Sequence, residues 1–171
     1  YLYAGFSYAK LCPEHYRHHA NPGTADDPDF CVTHSTQVIP WYISFVRYYF
    51  GLREFAILTV FLVTYIVVFG VALDRMLLFW GLPAIASAFQ LFFFGTYLPH
   101  RTTDTFVDEH RARSNDYGYL GSLLSCFHFG YHHEHHLYPA VPWWRLPKVR
   151  ATANASHPAV DSRAPDGAGP T

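Results

Sequence analysis

Two long uncharged apolar runs occupy the middle of this 171-residue chain. They are residues 55–73 (FAILTVFLVTYIVVFGVAL) and residues 77–98 (LLFWGLPAIASAFQLFFFGTYL). A helix of about 20 apolar residues crosses a bilayer, and uncharged runs of this length are rare in the core of a soluble protein. The sequence therefore predicts an all-α integral membrane helical bundle that includes two spanning helices.

The two runs are separated only by Asp74, Arg75 and Met76. This short connection predicts a tight hairpin whose outer ends return to the same side of the membrane, and Pro83 predicts a kink in the second helix. Basic residues flank the hairpin on both outer sides, so the positive-inside rule predicts that both flanks are cytoplasmic. These residues are Lys10, Arg17, Arg47 and Arg53 before the hairpin, and Arg101, Arg111, Arg113, Arg145, Lys148 and Arg150 after it.

The remaining segments are predicted from their composition. Residues 41–50 (WYISFVRYYF) are too short to span but are dense in aromatic side chains, which favours a segment at the membrane interface. From Ala151 onward the chain is rich in Ala, Pro, Gly and Ser without an apolar period. We therefore expect one membrane domain over residues 1–150 and a disordered tail over residues 151–171.

Charge and cysteine content exclude two functional classes. The formal net charge is −1 and no basic patch is present, so the sequence does not predict nucleic-acid binding. The three cysteines, Cys12, Cys31 and Cys126, form no C-x-x-C pair, which argues against a disulfide framework and against a cysteine-based zinc site.

Histidines form a repeated pattern on either side of the hairpin. The pattern H-x-x-H-H occurs twice, and its positions i, i+3 and i+4 share one face of a helix, where three imidazoles can converge on a metal ion. One further histidine lies two residues after the second apolar run, at the predicted cytoplasmic exit, where an ionisable residue is a functional candidate. The seven candidates are His15, His18 and His19, then His100, then His132, His135 and His136.

Seven imidazoles exceed the four ligands of one tetrahedral zinc site, which favours two metal ions. Imidazole binds iron, copper, zinc and nickel alike, so the ligand type leaves the metal open. Carboxylates are expected to orient the rings and offset the charge of the metals. Among the acidic residues nearby we favour Asp108 and Glu134; the full set is Asp26, Asp27, Asp29, Asp104, Asp108, Glu109 and Glu134.

These motifs resemble those of a known family. The two H-x-x-H-H boxes resemble the second and third histidine boxes of the membrane fatty acid desaturase and hydroxylase superfamily. The surrounding sequence is similar to that of bacterial-type β-carotene ketolases, from about Tyr8 to Arg150. The similar stretches are NPGTADDPDF (21–30), FGTYLPHR (94–101), HRARS (110–114) and FHFGYHHEHHLYPAVPWWRLP (127–147).

The resemblance implies an enzyme with two histidine-bound iron ions on the cytoplasmic side of a four-helix membrane bundle. It implies O₂ as co-substrate, an external electron donor such as ferredoxin, and a lipid-soluble carotenoid whose β-ionone ring is oxidised at C4 to a ketone. β-Carotene would thus give echinenone and canthaxanthin. His100 would correspond to the lone histidine that related hydroxylases carry between their second and third boxes. His110 and His128 also belong to the resembling sequence, and we expect them to support the site without binding metal.

One family motif is missing. No H-D-x-x-H-G box, the expected first histidine box, occurs in the chain. The expectation is therefore a fragment whose remaining iron ligands precede Tyr1. Two alternatives stay open. The first is a desaturase or hydroxylase of the same superfamily that acts on an acyl chain or alkane; the second is a non-enzymatic metal-binding membrane protein, which predicts one zinc ion and no iron.

Overall fold

The computed structural model describes residues 6–103 and 105–156, which contain helices and no strand. The helices are α1 (Tyr8–Ala20), α2 (Val38–Tyr49), α3 (Leu52–Val67), α4 (Leu73–His100), α5 (Gly118–Leu124), α6 (His132–Leu137) and α7 (Leu146–Ser156). Short 3₁₀ turns lie at Val32–His34, Phe129–Tyr131 and Trp143–Arg145. The predicted all-helical fold class is confirmed.

Helix α4 is long and apolar enough to cross a membrane. It has 28 residues, and only 11% of its most apolar window is buried inside the molecule. A core helix of a soluble protein would be mostly buried, so this outward apolar surface favours contact with lipid. Helices α2 and α3 pass the same test only as a pair, and they are bent by 81° at the break between them.

The predicted hairpin is present, but its turn lies elsewhere. Helix α3 ends at Val67, so its 16 residues rise about 24 Å, which is short of the roughly 30 Å hydrocarbon core. The chain reverses over residues 68–72, where Gly70 has a φ of +64° that glycine adopts at little cost. Asp74 lies instead in the first turn of α4, where a negative charge is favourable to the helix dipole. The prediction of a turn at Asp74, Arg75 and Met76 was therefore wrong.

Two widened turns interrupt α4 next to its prolines. Residues Leu77–Gly81 and Phe93–Tyr97 form π-helical turns, and each ends two residues before a proline, Pro83 and Pro99. A proline removes one backbone donor and clashes with the carbonyl four residues earlier, and both of those carbonyls lie inside the widened turns. The π turns thus accommodate the prolines within one continuous helix.

Helix α2 supplies the aromatic core. Trp41, Phe45 and Tyr49 recur every fourth residue, which places them on one face, and all three are buried. Their rings pack on α4, where the Phe45 and Phe92 centroids lie 5.4 Å apart. Residues 41–50 were predicted as an interfacial segment; the structure shows that one side of this segment forms the core. The cause is the four-residue aromatic period, which composition alone does not reveal.

The C-terminal helix extends into the predicted tail. Helix α7 continues to Ser156, so residues 151–156 are helical rather than disordered. Ala151 and Ala153 have high helix propensity, which explains the continuation. Residues 157–171 lie outside the described part of the chain.

Substituting Gly130 tests how α6 is positioned. A Cβ at Gly130 would lie 2.5 Å from Ser122 Oγ in α5, whereas a Cβ at Gly81 would meet nothing closer than 3.8 Å. We expect Gly130→Ala to lower the free energy of unfolding by about 1–3 kcal/mol through overpacking. Gly81→Ala should be neutral or stabilise by up to about 1 kcal/mol. Thermal unfolding in detergent measures both, and equal melting temperatures would contradict the packing described.

Candidate metal centre

Helices α1, α4 and α6 bring the seven predicted histidines together at one end of the molecule. They form an inner group, which is buried, and an outer group, which is half-buried. Within each group the candidate ligand atoms lie within 4.8 Å of one another. The inner group is His18, His100, His132 and His136, and the outer group is His15, His19 and His135. The H-x-x-H-H boxes therefore each contribute to both groups.

The outer group has a geometry that hydrogen bonding cannot explain. The Nε2 atoms of His15, His19 and His135 are 3.0–3.2 Å apart in all three pairings. In a neutral imidazole Nε2 carries either one proton or one lone pair, so these three contacts cannot all be hydrogen bonds. A point just above this triangle lies about 2 Å from each nitrogen, which is the usual metal–imidazole distance.

Two rings of the inner group have their tautomer fixed by a hydrogen bond on Nδ1. His18 Nδ1 donates to Asp27 Oδ1 at 2.8 Å, and His100 Nδ1 donates to the backbone carbonyl of Arg111 at 2.7 Å. When these rings are neutral, the Nε2 atoms of His18 and His100 therefore each direct a lone pair toward the inner group. This arrangement, with the second ring nitrogen bonded to a carboxylate or carbonyl, is typical of histidines that bind metal.

The other two inner rings complete a chain of close contacts. His136 Nε2 lies 3.2 Å from His18 Nε2 and 3.1 Å from His132 Nε2, which in turn lies 3.0 Å from His100 Nε2. If His136 and His132 donate to the two lone pairs, their own N–H groups face each other at 3.1 Å. No assignment of neutral tautomers satisfies all three contacts, whereas a cation among four lone pairs does.

The electrostatics keep most of these rings neutral. Burial, followed by repulsion from neighbouring imidazoles, lowers the pKa of His15 to about 4 and that of His19 to about 3. The same causes lower the pKa of His132, His135 and His136. Metal binding requires deprotonated imidazole, so these rings are in the binding form at neutral pH.

His18 is the exception among the six cluster histidines of α1 and α6. Burial opposes its protonation, but the hydrogen bond and the charge of Asp27 outweigh burial and raise its pKa. A carboxylate that stabilises positive charge on this ring also favours a cation at its Nε2.

Asp27 is the carboxylate that sequence reasoning did not favour. It is buried, and besides His18 it accepts hydrogen bonds from the backbone N–H groups of Gly23 at 2.7 Å and Asp29 at 2.9 Å. Its neighbour Asp26 is exposed. Nothing in the local sequence distinguishes Asp26 from Asp27. The loop that returns to α1 brings only Asp27 to His18.

Asp108 and Glu134 contact other residues than predicted. Asp108 accepts from the Nε2 of His133 at 2.7 Å. Glu134 accepts from the hydroxyl of Ser114, which itself accepts from the backbone N–H of His133 at 3.0 Å. Asp108 and Ser114 therefore hold α6 at His133, which is outside the two groups, and neither carboxylate hydrogen bonds to a ring of the cluster.

His110 and His128 differ in their distance from the cluster. The His110 ring lies 6.3 Å from that of His136, so it borders the inner group. His128 is fully buried beside Tyr119 and Trp143, with ring distances of 4.8 and 5.8 Å, and lies in neither histidine group. Its environment is that of a packed aromatic side chain.

A path of hydrogen bonds links two rings of the inner group, His18 and His100. From His18 it runs through Asp27 to the N–H of Gly23, whose carbonyl accepts from Arg111 Nη1 at 2.9 Å. The Arg111 carbonyl then accepts from His100, whose ring centroid is 4.6 Å from that of His18. We call this series of contacts the Asp27–Arg111 path. It holds rings from α1 and α4 in register.

The fold and the donor set together define a helical membrane protein built around a histidine cluster suited to metal. The family model described as "Fatty acid desaturase" matches residues 33–162. The chain therefore belongs to the fatty acid desaturase family.

Several curated proteins are similar to the chain. A "Beta-carotene ketolase" of Paracoccus sp. strain PC1 is 53% identical over 156 residues, covering 89% of this chain and 62% of that protein. One from Paracoccus sp. strain N81106 is 49% identical over 160 residues, covering 91% and 64%. One from Haematococcus lacustris is 37% identical over 156 residues, covering 87% and 48%. The chain thus spans less than two thirds of the length of these relatives. No solved structure gives a significant match.

Asp27→Asn tests the carboxylate beneath His18. The amide keeps the size of the side chain but removes its charge, so we expect metal affinity to fall by about 10–100-fold, as for other residues that orient metal-bound histidines. Asp26→Asn is the matched control, because Asp26 is exposed. Competition with a chelator, followed by metal analysis, measures the affinity. Equal affinity in the two variants would rule out the role assigned to Asp27.

Proposed function

We propose that the protein is a membrane oxygenase with two histidine-bound iron ions that converts the C4 methylene of a β-ionone ring into a ketone. The main support for this proposal is that two sets of imidazole Nε2 atoms converge at distances that suit metal ions. Similarity to proteins named β-carotene ketolase supports the carotenoid substrate. The proposed setting is a multi-pass membrane protein with the cluster on the cytoplasmic side, where an electron donor such as ferredoxin would bind.

In this proposal the histidines bind the iron ions, and neighbouring residues orient the histidine rings. The inner and outer groups would each hold one iron, and bound iron would supply the O₂ activation that oxidation of the C4–H bond requires. Asp27 and the Arg111 carbonyl orient His18 and His100. Burial of the inner group limits the access of water, which strengthens the electrostatic interactions inside.

The proposed conversion balances as two hydroxylations and one dehydration. Each hydroxylation consumes one O₂, two electrons and two protons, inserts one oxygen atom into a C4–H bond and releases one water. The second gives a geminal diol, which loses water to leave the ketone. The electrons come from the external donor, because the side chains of the cluster are not reductants.

Metal content tests the proposed centre. We expect two iron ions per chain in the purified full-length gene product. His132→Ala removes an inner ligand and His135→Ala an outer one, so each variant should lose at least one iron. His34→Ala serves as the control, because His34 belongs to neither group. Elemental analysis decides the matter: one zinc and no iron would instead support a metal-binding protein without catalysis.

Pigment analysis tests the activity. Cells that make β-carotene and express the full-length gene product should accumulate echinenone and canthaxanthin, and His132→Ala should abolish both through loss of the metal. Chromatography of the pigments, alongside the fatty acids, measures the outcome. Unchanged carotenoids together with altered fatty acids would replace the ketolase proposal with an acyl-chain desaturase or hydroxylase.

A further inference from the structure

A small cavity borders the histidine cluster. It has a volume of about 60 Å³, and its lining includes His15, His18, Asp29 and His132 together with Phe45, Gly95 and Phe129. The volume corresponds to about two water molecules of the liquid, which is too small for a six-membered carbon ring. The absence of a side chain at Gly95 brings Phe129 close, since a Cβ there would lie 2.7 Å from the Phe129 ring.

A larger apolar cavity lies farther along α4. It has a volume of about 320 Å³ between α2, α3 and α4, and no ionisable acid, base or histidine lines it apart from the phenol of Tyr42. Aromatic and small side chains form its walls, including Phe6, Trp80, Ala84 and Ala88.

The two cavities lie along one face of α4. Ala84 and Ala88 line the larger cavity, and Leu91 and Gly95 line the smaller one. These positions are four, three and four residues apart, which is the spacing of a single helix face. At about 1.5 Å per residue, Ala88 and Ala84 lie roughly 18 and 24 Å from His100 along the axis.

One layer of aromatic side chains separates the cavities. Phe6 lines the larger cavity and Phe45 lines the smaller one, and their rings meet edge to face at 6.0 Å. Rotation of Phe45 away from the cluster would join the two spaces into one elongated channel, which is apolar along the larger cavity and polar at its histidine end. Such a channel would lead from the depth of the membrane to the histidine cluster.

We infer that this channel binds the substrate lengthwise, with the polyene chain of a carotenoid in the larger cavity and its ring beside the histidines. The inference rests on the proposed function. The lining is apolar and the span exceeds 18 Å, so it fits a long hydrocarbon; the flat aromatic walls of Trp80 and Phe6 fit a flat conjugated chain. Phe45 is the side chain that moves when the ring enters. Ala84 and Ala88 are the positions that set how long a substrate is accepted.

Filling the larger cavity tests the inference. Ala84→Phe places a ring in the path of the polyene, so we expect the conversion of β-carotene to fall by about tenfold or more. Ala86→Phe is the matched control, because Ala86 is exposed two residues away, on another face of the helix. A truncated β-ring apocarotenoid, whose chain ends before Ala84, should be converted, or should compete with β-carotene, equally well in both variants.

Three further outcomes are decisive. Equal loss of β-carotene and truncated substrate in both Ala84→Phe and the smaller Ala84→Leu would show that the substitutions disturb the fold and not the path of the polyene, and would overturn the channel. Full β-carotene conversion in Ala84→Phe would overturn the channel outright. If the unsubstituted protein makes no ketocarotenoid, the proposed function fails. The channel is then judged separately, by whether β-carotene copurifies with Ala86→Phe and not with Ala84→Phe.

Discussion

Imidazole nitrogens held about 3 Å apart, in rings that burial keeps mostly neutral, are the constraint on which this structure depends. Lone pairs at that distance repel one another unless a proton or a cation lies between them, so the rings must be held in place by the surrounding protein. The Asp27–Arg111 path does this for His18 and His100, and the bonds of Asp108 and Ser114 to His133 do it for α6. The polar support of the cluster therefore comes from loops, not from the spanning helix.

The aromatic core supports those loops in turn. Trp41 Nε1 donates to the Asp29 carbonyl at 2.7 Å, and the Tyr49 hydroxyl donates to Asp29 Oδ1 at 2.5 Å. Asp29 is two residues from Asp27 and donates its own N–H to that carboxylate. The buried face of α2 thus anchors the loop that orients His18. A core substitution at Trp41 would disturb the cluster as well as the packing, because the two share this loop.

Features that depend on helical periodicity could be predicted from the sequence. Features that depend on how a loop folds back onto a helix could not. The doubled H-x-x-H-H boxes and His100 converge as expected, since helical spacing and the hairpin determine their placement. The role of Asp27 depends on a loop closing back on α1, and the helix break near Gly70 depends on one left-handed residue within an apolar run. Neither has a periodic signal. The four-residue aromatic period of α2 was present in the sequence and would have indicated its buried face.

The two π turns of α4 also determine the direction in which His100 points. Each widened turn contains about one residue more than an α-helical turn, which amounts to a rotation of roughly 100° for everything that follows. Winding Phe93–Tyr97 as a regular α-helix without changing its length would turn His100 by roughly 100°, to another side of the helix, whereas deleting one residue together with the π turn would leave its direction nearly unchanged. The angular alignment of the cluster with the rest of the spanning helix is thus encoded in helix winding beside Pro83 and Pro99. A change of winding there at constant length would alter the site more than most side-chain replacements.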